Sequence, residues 1–172
     1  MKKEFYSNIK SRLETKLGDE IKHIALWNSQ IDNEQTEKPF RFPALFLEFT
    51  NIDFRSETSG VQKCDLEFTI HCCFSQLIDD IDLLDTVQNV ASALHLHSDD
   101  YFSAITRVSE QMDPDHDRVI DWTITFVCTL TDELTFRENQ LTQINTSGTD
   151  IGLELTSDLD IDNTVIRSGD GQ

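Results

Sequence analysis

The stretch that decides the fold of this chain is RVIDWTITFVCTL, which runs from Arg118 to Leu130. With a period of two residues it separates into a mostly polar, β-branched set and an apolar set, the latter being Ile120, Trp122, Ile124, Phe126, Cys128 and Leu130. A strand with one buried and one solvated face has this pattern. A β-rich run over Phe102–Met112 and a turn at 113–117 come before it. The sequence therefore predicts a long hairpin whose Trp122 face the rest of the chain must cover.

Further strands are predicted upstream of this hairpin. Ile21–Trp27 has the composition of a short first strand, and a second begins at Ala44 and changes its apolar parity near Thr50, which indicates a β-bulge. Lys63–Phe74 sets an apolar face, from Cys64 to Phe74, against a polar face, from Asp65 to His71. At about 3.3 Å per residue this strand reaches roughly 40 Å, beyond the usual strand length. We expect strands this long to extend past the helices that cover them and to need a neighbour.

Two amphipathic helices are predicted to supply the cover. In the first, Phe5, Ile9, Leu13 and Leu17 recur every fourth residue, and Gly18 stands where the helix would end. The second follows Asp79-Asp80 and ends near His95, with an apolar face of Ile81, Leu84, Val87, Val90, Ala91 and Leu94. The order α-β-β-β-α-β-β predicts an α+β two-layer sandwich: a mainly antiparallel sheet of four to five strands with both helices on one face.

Net charge is the strongest feature of the composition, because 32 acidic and 14 basic residues give −18 at pH 7. A surface that binds nucleic acid or an anionic membrane needs clustered Lys and Arg, which this balance does not offer. No apolar run approaches the roughly 20 residues of a membrane span, and the first residues show no apolar signal core. We therefore expect no membrane contact and no secretion.

The character of the chain changes after Leu130. Thr131–Gln172 has nine acidic and two basic residues, is rich in Thr, Ser, Asn and Asp, and contains only isolated aliphatic residues. Such a segment buries too little apolar surface to fold alone, although its alternating aliphatic positions allow an extended strand along a partner. We predict a folded domain over 1–131 and an extended acidic C-terminal arm over 132–172.

The turn before the last strand contains the densest group of carboxylates. Asp113, Asp115 and Asp117 alternate around Pro114 and His116, a set that resembles cation ligands. A calcium loop needs about six oxygens from a longer loop with a glycine at its sharp turn. Proline and aspartate also favour turns, so we interpret this group as a hairpin tip.

No motif for catalysis or cofactor binding stands out. His95 and His97, followed by Asp99 and Asp100, resemble a metal cluster, but two histidines with this spacing at a helix end point to different sides. The cysteines, Cys64, Cys72, Cys73 and Cys128, have the placement of small buried hydrophobic residues in a reducing compartment. Neither a nucleophile elbow nor a glycine-rich phosphate loop is present. The sequence predicts a non-enzymatic protein without metal or cofactor.

An aromatic segment bracketed by prolines precedes the second strand. Phe40, Arg41 and Phe42 lie between Pro39 and Pro43, in a stretch that proline keeps extended. Its two phenylalanines are either part of the core or anchors of a subunit contact. Together with Asp113, Asp115, His116 and Asp117, they are the candidate interface residues.

Three phrases resemble a known family. KPFRFPALFLEF (38–49), GVQKCDLEFTIHCCF (60–74) and MDPDHDRVIDWTITFVCTL (112–130), in this order around the second helix, resemble the tail-terminator, or tail-completion, proteins of tailed bacteriophages. The resemblance covers about Met1 to Asp132 and leaves the acidic arm outside it. It implies a structural protein of the virion at the tail–neck junction, made in the host cytoplasm.

The resemblance also implies partners. Proteins of this kind form a ring, usually hexameric, on the tail tube, stop its growth and present a surface to the neck or head-completion protein. Double-stranded DNA then passes through the channel without specific binding, which an acidic wall would favour because like charges repel. Two alternatives remain open: a head-completion or stopper protein of the same neck, and a non-viral intracellular acidic adaptor.

Overall fold

The computed structural model of the protein describes residues 1–29, 31, 40–57, 61–113 and 119–132. Within this part of the chain, the elements follow the predicted order α-β-β-β-α-β-β. They are α1 (Lys2–Leu17), β1 (His23–Leu26), β2 (Ala44–Ser56), β3 (Gln62–Ser75), α2 (Asp80–Leu94), β4 (Thr106–Asp113) and β5 (Val119–Asp132). The predicted arm from residue 133 onward lies outside the described residues.

The five strands form one sheet in the order β1-β2-β3-β5-β4. β1 runs parallel to β2, and the other neighbours are antiparallel, so the sheet is mixed. The register of β3 and β5 sets Phe68 opposite Phe126 and Ile70 opposite Ile124. Because the side chains of opposed residues point to the same face, this register gathers both apolar sets on one side of the sheet.

The predicted change of parity in β2 is confirmed. The pairing of β2 with β3 shifts its register between Phe49 and Asn51, which leaves Thr50 as the extra residue of a bulge. Ile52 therefore continues on the same face as Leu45 and Leu47 and lies opposite Leu66. The bulge keeps the apolar side of a long strand turned to the helices.

The helix side of the sheet holds the main core. The four predicted residues of α1, Phe5, Ile9, Leu13 and Leu17, are all buried. The Phe5 ring packs edge-on against Phe68 and Phe102, with centroid distances of 5.2 and 5.3 Å. Phe68 stacks in turn on Phe126 at 5.4 Å. Aromatic contacts thus join α1 to the two central strands, and Gly18, with φ +54°, ends the helix as predicted.

The predicted face of α2 is wrong in its first turns. Leu83 is buried, whereas the side chains of Ile81 and Leu84 are 65% and 50% exposed. The buried side continues from Leu83 through Val87, Val90 and Leu94, a spacing of four, three and four residues that also fits a helix. Since both stripes have helical spacing, only the packing against the sheet selects one. Ile81 and Leu84 are consequently left in solvent.

The predicted strand over Phe102–Met112 begins too early. β4 starts at Thr106, and Phe102 makes only isolated bridges, to Asp99 and to Leu130. Ile105 exchanges backbone hydrogen bonds with the segment just after α2 instead: its N–H donates to the His97 carbonyl and its own carbonyl accepts from the Leu96 N–H, both at 2.8 Å. Residues 102–105 therefore close the core below the helix end rather than extend the sheet.

Among the described residues, no helix has the length and apolar character needed to cross a membrane.

Candidate functional site

The sheet face turned away from the helices was expected to be solvated, and this expectation is wrong at one end. Ala44, Phe46 and Cys73 are fully buried there and form a second, smaller core. Partly buried residues pack against it: Ala25, Trp27, Ile31, Phe40, Phe42 and Val119. Residues of β1 and of the segments just after β1 and just before β2 thus cover the sheet end that the helices do not cover.

A buried ionic group lies beside this second core. The His71 Nδ1 is 2.8 Å from Asp121 Oδ2, and its Nε2 is 3.1 Å from Glu48 Oε2. The Asp121 side chain is 3% exposed and that of Glu48 is 41% exposed. Ionised carboxylates only accept hydrogen bonds, so both ring nitrogens of His71 must donate, and the ring that satisfies both is the imidazolium.

The pKa of His71 agrees with this geometry. Burial alone, the largest effect, lowers the pKa, but the hydrogen bonds and charges of Asp121 and Glu48 together outweigh it and raise the pKa above its ordinary value of 6.5. The positive charge is thus kept by two acidic neighbours, each from an adjacent strand. His71, Glu48, Asp121 and the indole of Trp27 are called the His71 cluster below.

Trp27 completes the cluster from outside the sheet. Its indole lies parallel to the His71 imidazole, with ring centroids 3.9 Å apart and an interplanar angle of 2°. The backbone N–H of Trp27 donates to the Leu47 carbonyl at 2.9 Å, which fixes the backbone just after β1. A cation on the face of a tryptophan is attracted by the π-electrons of the ring. The stack therefore ties the end of β1 to β3 across β2.

The cluster does not form a nucleophilic centre. The Cys73 Sγ donates to Asp121 Oδ1 at 3.8 Å rather than to His71. Burial, with the Asp121 charge second, raises the pKa of this thiol strongly, so it stays protonated where a nucleophilic cysteine must be a thiolate. Burial likewise raises the pKa of Cys128 to about 12. What the His71 cluster can do is bind a proton and hold three strands together.

The candidate interface residues that the structure describes, Phe40, Arg41, Phe42 and Asp113, lie at this same end of the sheet. The Phe40 ring packs against Phe46 and Phe42, at 5.0 and 5.2 Å, and is only partly buried, whereas Arg41 is exposed. Asp113 lies at the other side, directly opposite Asp121. Pairing in register places Ala44, Cys73, Asp121 and Asp113 in one row across four strands. Asp115, His116 and Asp117 are outside the described residues.

The two histidines after α2 have separate partners. The Nε2 of His97 is 2.8 Å from the Asn8 Oδ1 in α1, and the Nδ1 of His95 accepts from the Arg107 backbone at 3.4 Å. In the part of the chain that the structure describes, no group of three or more His, Cys, Asp or Glu side chains is arranged so that it could hold a metal ion. The two imidazoles thus join α1, the helix end and β4 individually.

The largest exposed apolar features of the sheet lie on its outer strand and at the far end of β2. Every residue of β4 except Asp113 is exposed, including Val108 at 58% and Met112 at 50%. Beyond the bulge at Thr50, all of β2 except Ile52 is exposed, and Phe54 shows 50% of its side chain. The described sheet thus ends in a strand with solvent on both faces and in an arm that the helices do not cover.

Sequence reasoning did not find the His71 cluster. The alternation of β3 sets His71 on the face away from the helices, but the residue is only 8% exposed and lies beside the second core. A usable signal was Asp121, a carboxylate inside an otherwise apolar and β-branched strand. Buried carboxylates require a partner, and histidine on the paired strand is the residue type to look for.

Comparisons with known proteins find a likeness in fold only. No family model matches the chain, and no curated protein matches it. A chain in a solved structure described as "Virion of native gene transfer agent (GTA) particle" has a TM-score of 0.49 and 8% identity, over 74% of this chain and 94% of that chain. A likeness of this degree says nothing about function.

Proposed function

We propose that this protein is a structural component of a phage virion that forms a ring on the end of the tail tube and joins it to the neck. The proposal starts from the resemblance of residues 38–49, 60–74 and 112–130 to tail-terminator proteins. The observation that carries it is β4, an outer strand exposed along almost its whole length with Val108 and Met112 in solvent.

An outer strand of this kind is suited to pairing with a second copy. Exposed strand edges present backbone donors and acceptors that attract other strands, and proteins that stay monomeric place charges or prolines there. β4 contains no lysine and no proline, and two of its three charged residues, Arg107 and Glu110, lie 2.8 Å apart and offset each other. If a different surface of the next copy covers β4, the contact is head-to-tail, and a head-to-tail contact that closes gives a ring.

The uncovered arm of the sheet offers a second contact. Phe54 exposes half of its side chain near the end of β2, where strand pairs continue to Ser56 opposite Gln62. Half-exposed aromatic side chains are frequent anchors of protein interfaces. Phe40, Arg41, Phe42, the hairpin tip 113–117 and the acidic arm are the further contacts in this proposal, with the tube and with the neck protein.

The acidic residues of the described sheet fit passage of DNA without binding. Asp53 lies directly opposite Asp65, and Glu67 is opposite Asn51, on the face away from the helices. These four residues border a cavity of about 390 Å³. Arg55 pairs with Asp65 at 2.9 Å and offsets one of the charges. A channel wall with this excess of carboxylates over basic groups would repel phosphates, whereas clustered lysines would retain them.

Tube assembly in the presence of the protein tests the proposal. The tail tube protein of the same virus, polymerised alone, should give tubes of variable length in negative-stain images. With this protein added, tubes should become shorter and carry a cap of distinct shape at one end. Tubes of unchanged length without caps would contradict the tail-terminator role, and caps found only on neck complexes would favour the stopper alternative.

A further inference from the structure

The His71 cluster holds more hydrogen-bond acceptors than a neutral imidazole can satisfy. A neutral imidazole has a single N–H, but Asp121 and Glu48 each place an oxygen within 3.1 Å of a different ring nitrogen. With the proton bound, both carboxylates have a donor and the Trp27 indole faces a cation. Without the proton, one carboxylate loses its hydrogen-bond donor, and the Trp27 indole no longer faces a cation.

The strand beside this cluster has few other attachments to the sheet. β1 has four residues, all partly exposed, and pairs with β2 alone among the described strands. Backbone hydrogen bonds from Lys22 to the Pro43 carbonyl and from Trp27 to the Leu47 carbonyl, both 2.9 Å, extend that pairing at its two ends. The Trp27 ring packs edge-on against Phe46 at 5.9 Å and reaches His71 beyond it.

We propose that the His71 cluster is a proton-operated switch: through the Trp27 stack the imidazolium holds the end of β1 against the sheet, and loss of the proton loosens it. The proton that leaves is the one on Nε2. Glu48 can turn its carboxylate into solvent, whereas Asp121 is buried, and removing the donor of a buried carboxylate is the more costly change. The proton therefore passes to water beside Glu48, and the neutral ring keeps its Nδ1–H bond to Asp121.

Three other ionisable side chains lie around the His71 cluster. Asp113 on β4 lies opposite Asp121 and adds negative charge to that side. Cys73 on β3 donates to Asp121 and stays a thiol. On β1, His23 stacks on Phe40 at 5.8 Å and packs against Phe46 at 5.6 Å, so its ring lies beside these phenylalanines rather than His71, and it serves as a control.

The sign of the pH effect follows from the raised pKa of His71. Burial opposes the proton, but Asp121 and Glu48 outweigh burial and raise the pKa above 6.5. The form in which the imidazolium holds β1 against the sheet is therefore fully populated below the ordinary pKa of 6.5, and it is lost as the pH rises through the folded-state pKa of His71. The switch would open on the alkaline side of neutral rather than on acidification, and it requires nothing of the proposed ring.

Tryptophan fluorescence of the full chain reports the switch directly. The chain has two tryptophans, so Trp122→Phe leaves Trp27 as the single emitter, and an imidazolium in contact with indole quenches its emission. From about pH 5 to about pH 9, emission should rise in one step whose midpoint lies above 6.5. The step should disappear in His71→Gln and persist in His23→Gln. A flat profile, or a step that persists in His71→Gln, overturns the proposal.

A milder variant and a second readout keep the test independent of folding. Glu48→Gln, at a side chain 41% exposed, should fold and move the midpoint to lower pH because one carboxylate charge is removed; an unchanged midpoint contradicts the switch. Hydrogen-exchange protection factors of the Trp27 and Lys22 amides should fall several-fold above the midpoint, while those of α1 stay constant. Equal protection on both sides of the midpoint would show that the proton leaves without loosening β1.

Discussion

The Trp27 indole lies flat on the His71 imidazole, 3.9 Å between ring centroids and 2° between planes. These residues are joined across β2, because Trp27 follows β1 whereas His71 belongs to β3. Through this contact, the attachment of β1, the shortest strand of the sheet, depends on the protonation of His71. It also accounts for a buried carboxylate, Asp121, in a face where the alternation of β5 indicates solvent.

Stability should depend on pH through His71. Its folded-state pKa lies above 6.5, so its contribution is fully present below that value and declines as the pH rises through the folded-state pKa. The free energy of unfolding, measured with urea, should exceed that of His71→Gln by more at about pH 6 than at about pH 9. A difference that stays constant or grows with pH would contradict the assignment. His97→Gln is the matched control on the helix side.

The aromatic centre of the main core should dominate stability. Phe68 is fully buried and contacts the rings of both Phe5 and Phe126, at 5.2 and 5.4 Å. Phe68→Ala should lower the free energy of unfolding by about 3–5 kcal/mol, because it removes apolar contacts and leaves a cavity. Phe54→Ala on a half-exposed side chain should cost much less. Equal losses in urea titrations of both variants would refute the described core.

The start of α2 depends on a single capping residue. The Asp79 Oδ1 accepts from the Ile81 backbone N–H at 2.9 Å. Asp79→Ala should therefore lower the free energy of unfolding by about 1 kcal/mol. Asp80→Ala, one residue further and without this bond, removes only a favourable charge at the helix N-terminus and should cost less. Comparing the thermal unfolding of the two variants separates the effect of the capping hydrogen bond from the effect of the charge.

The exposed edge of β4 should matter for assembly and not for folding. In Val108→Lys/Met112→Lys, another strand could pair with β4 only by desolvating two ammonium groups. Oligomers seen by light scattering should shift towards single chains, with an unchanged urea midpoint. The control is Leu77→Lys, at a side chain 94% exposed in the turn before α2. If the control disrupts assembly as strongly as the β4 variant, the contact surface lies elsewhere.

Much of the fold could be predicted from local patterns. Three sequence patterns each fit one structure only, because the spacing of apolar residues directly shows the buried side of a strand or helix. They are the alternation around Trp122, the spacing of four residues in α1 and the parity change at Thr50. The α+β class and the element order follow from these signals.

The sequence-based predictions fail where one pattern fits two structures, or where segments distant in sequence decide which residues are paired or buried. In α2, Leu83 and Leu84 each begin a stripe of helical spacing, and the packing against the sheet selects Leu83. The parallel pairing of β1 depends on a long connection whose path no local signal gives. The second core forms because Trp27 and Phe40 return over β2 and β3, so His71 and Asp121 become buried without any change in the alternation of their own strands.

The native mass of the full chain, alone and mixed with tail tubes of the same virus, tests the central claim most directly. One chain has a mass of 19.8 kDa. A ring-forming protein should appear as a single closed multiple of this mass on the tubes, and the same multiple should be released when the tubes are dissociated gently. A species of one chain in both samples, with no mass added to the tubes, would contradict the proposed role.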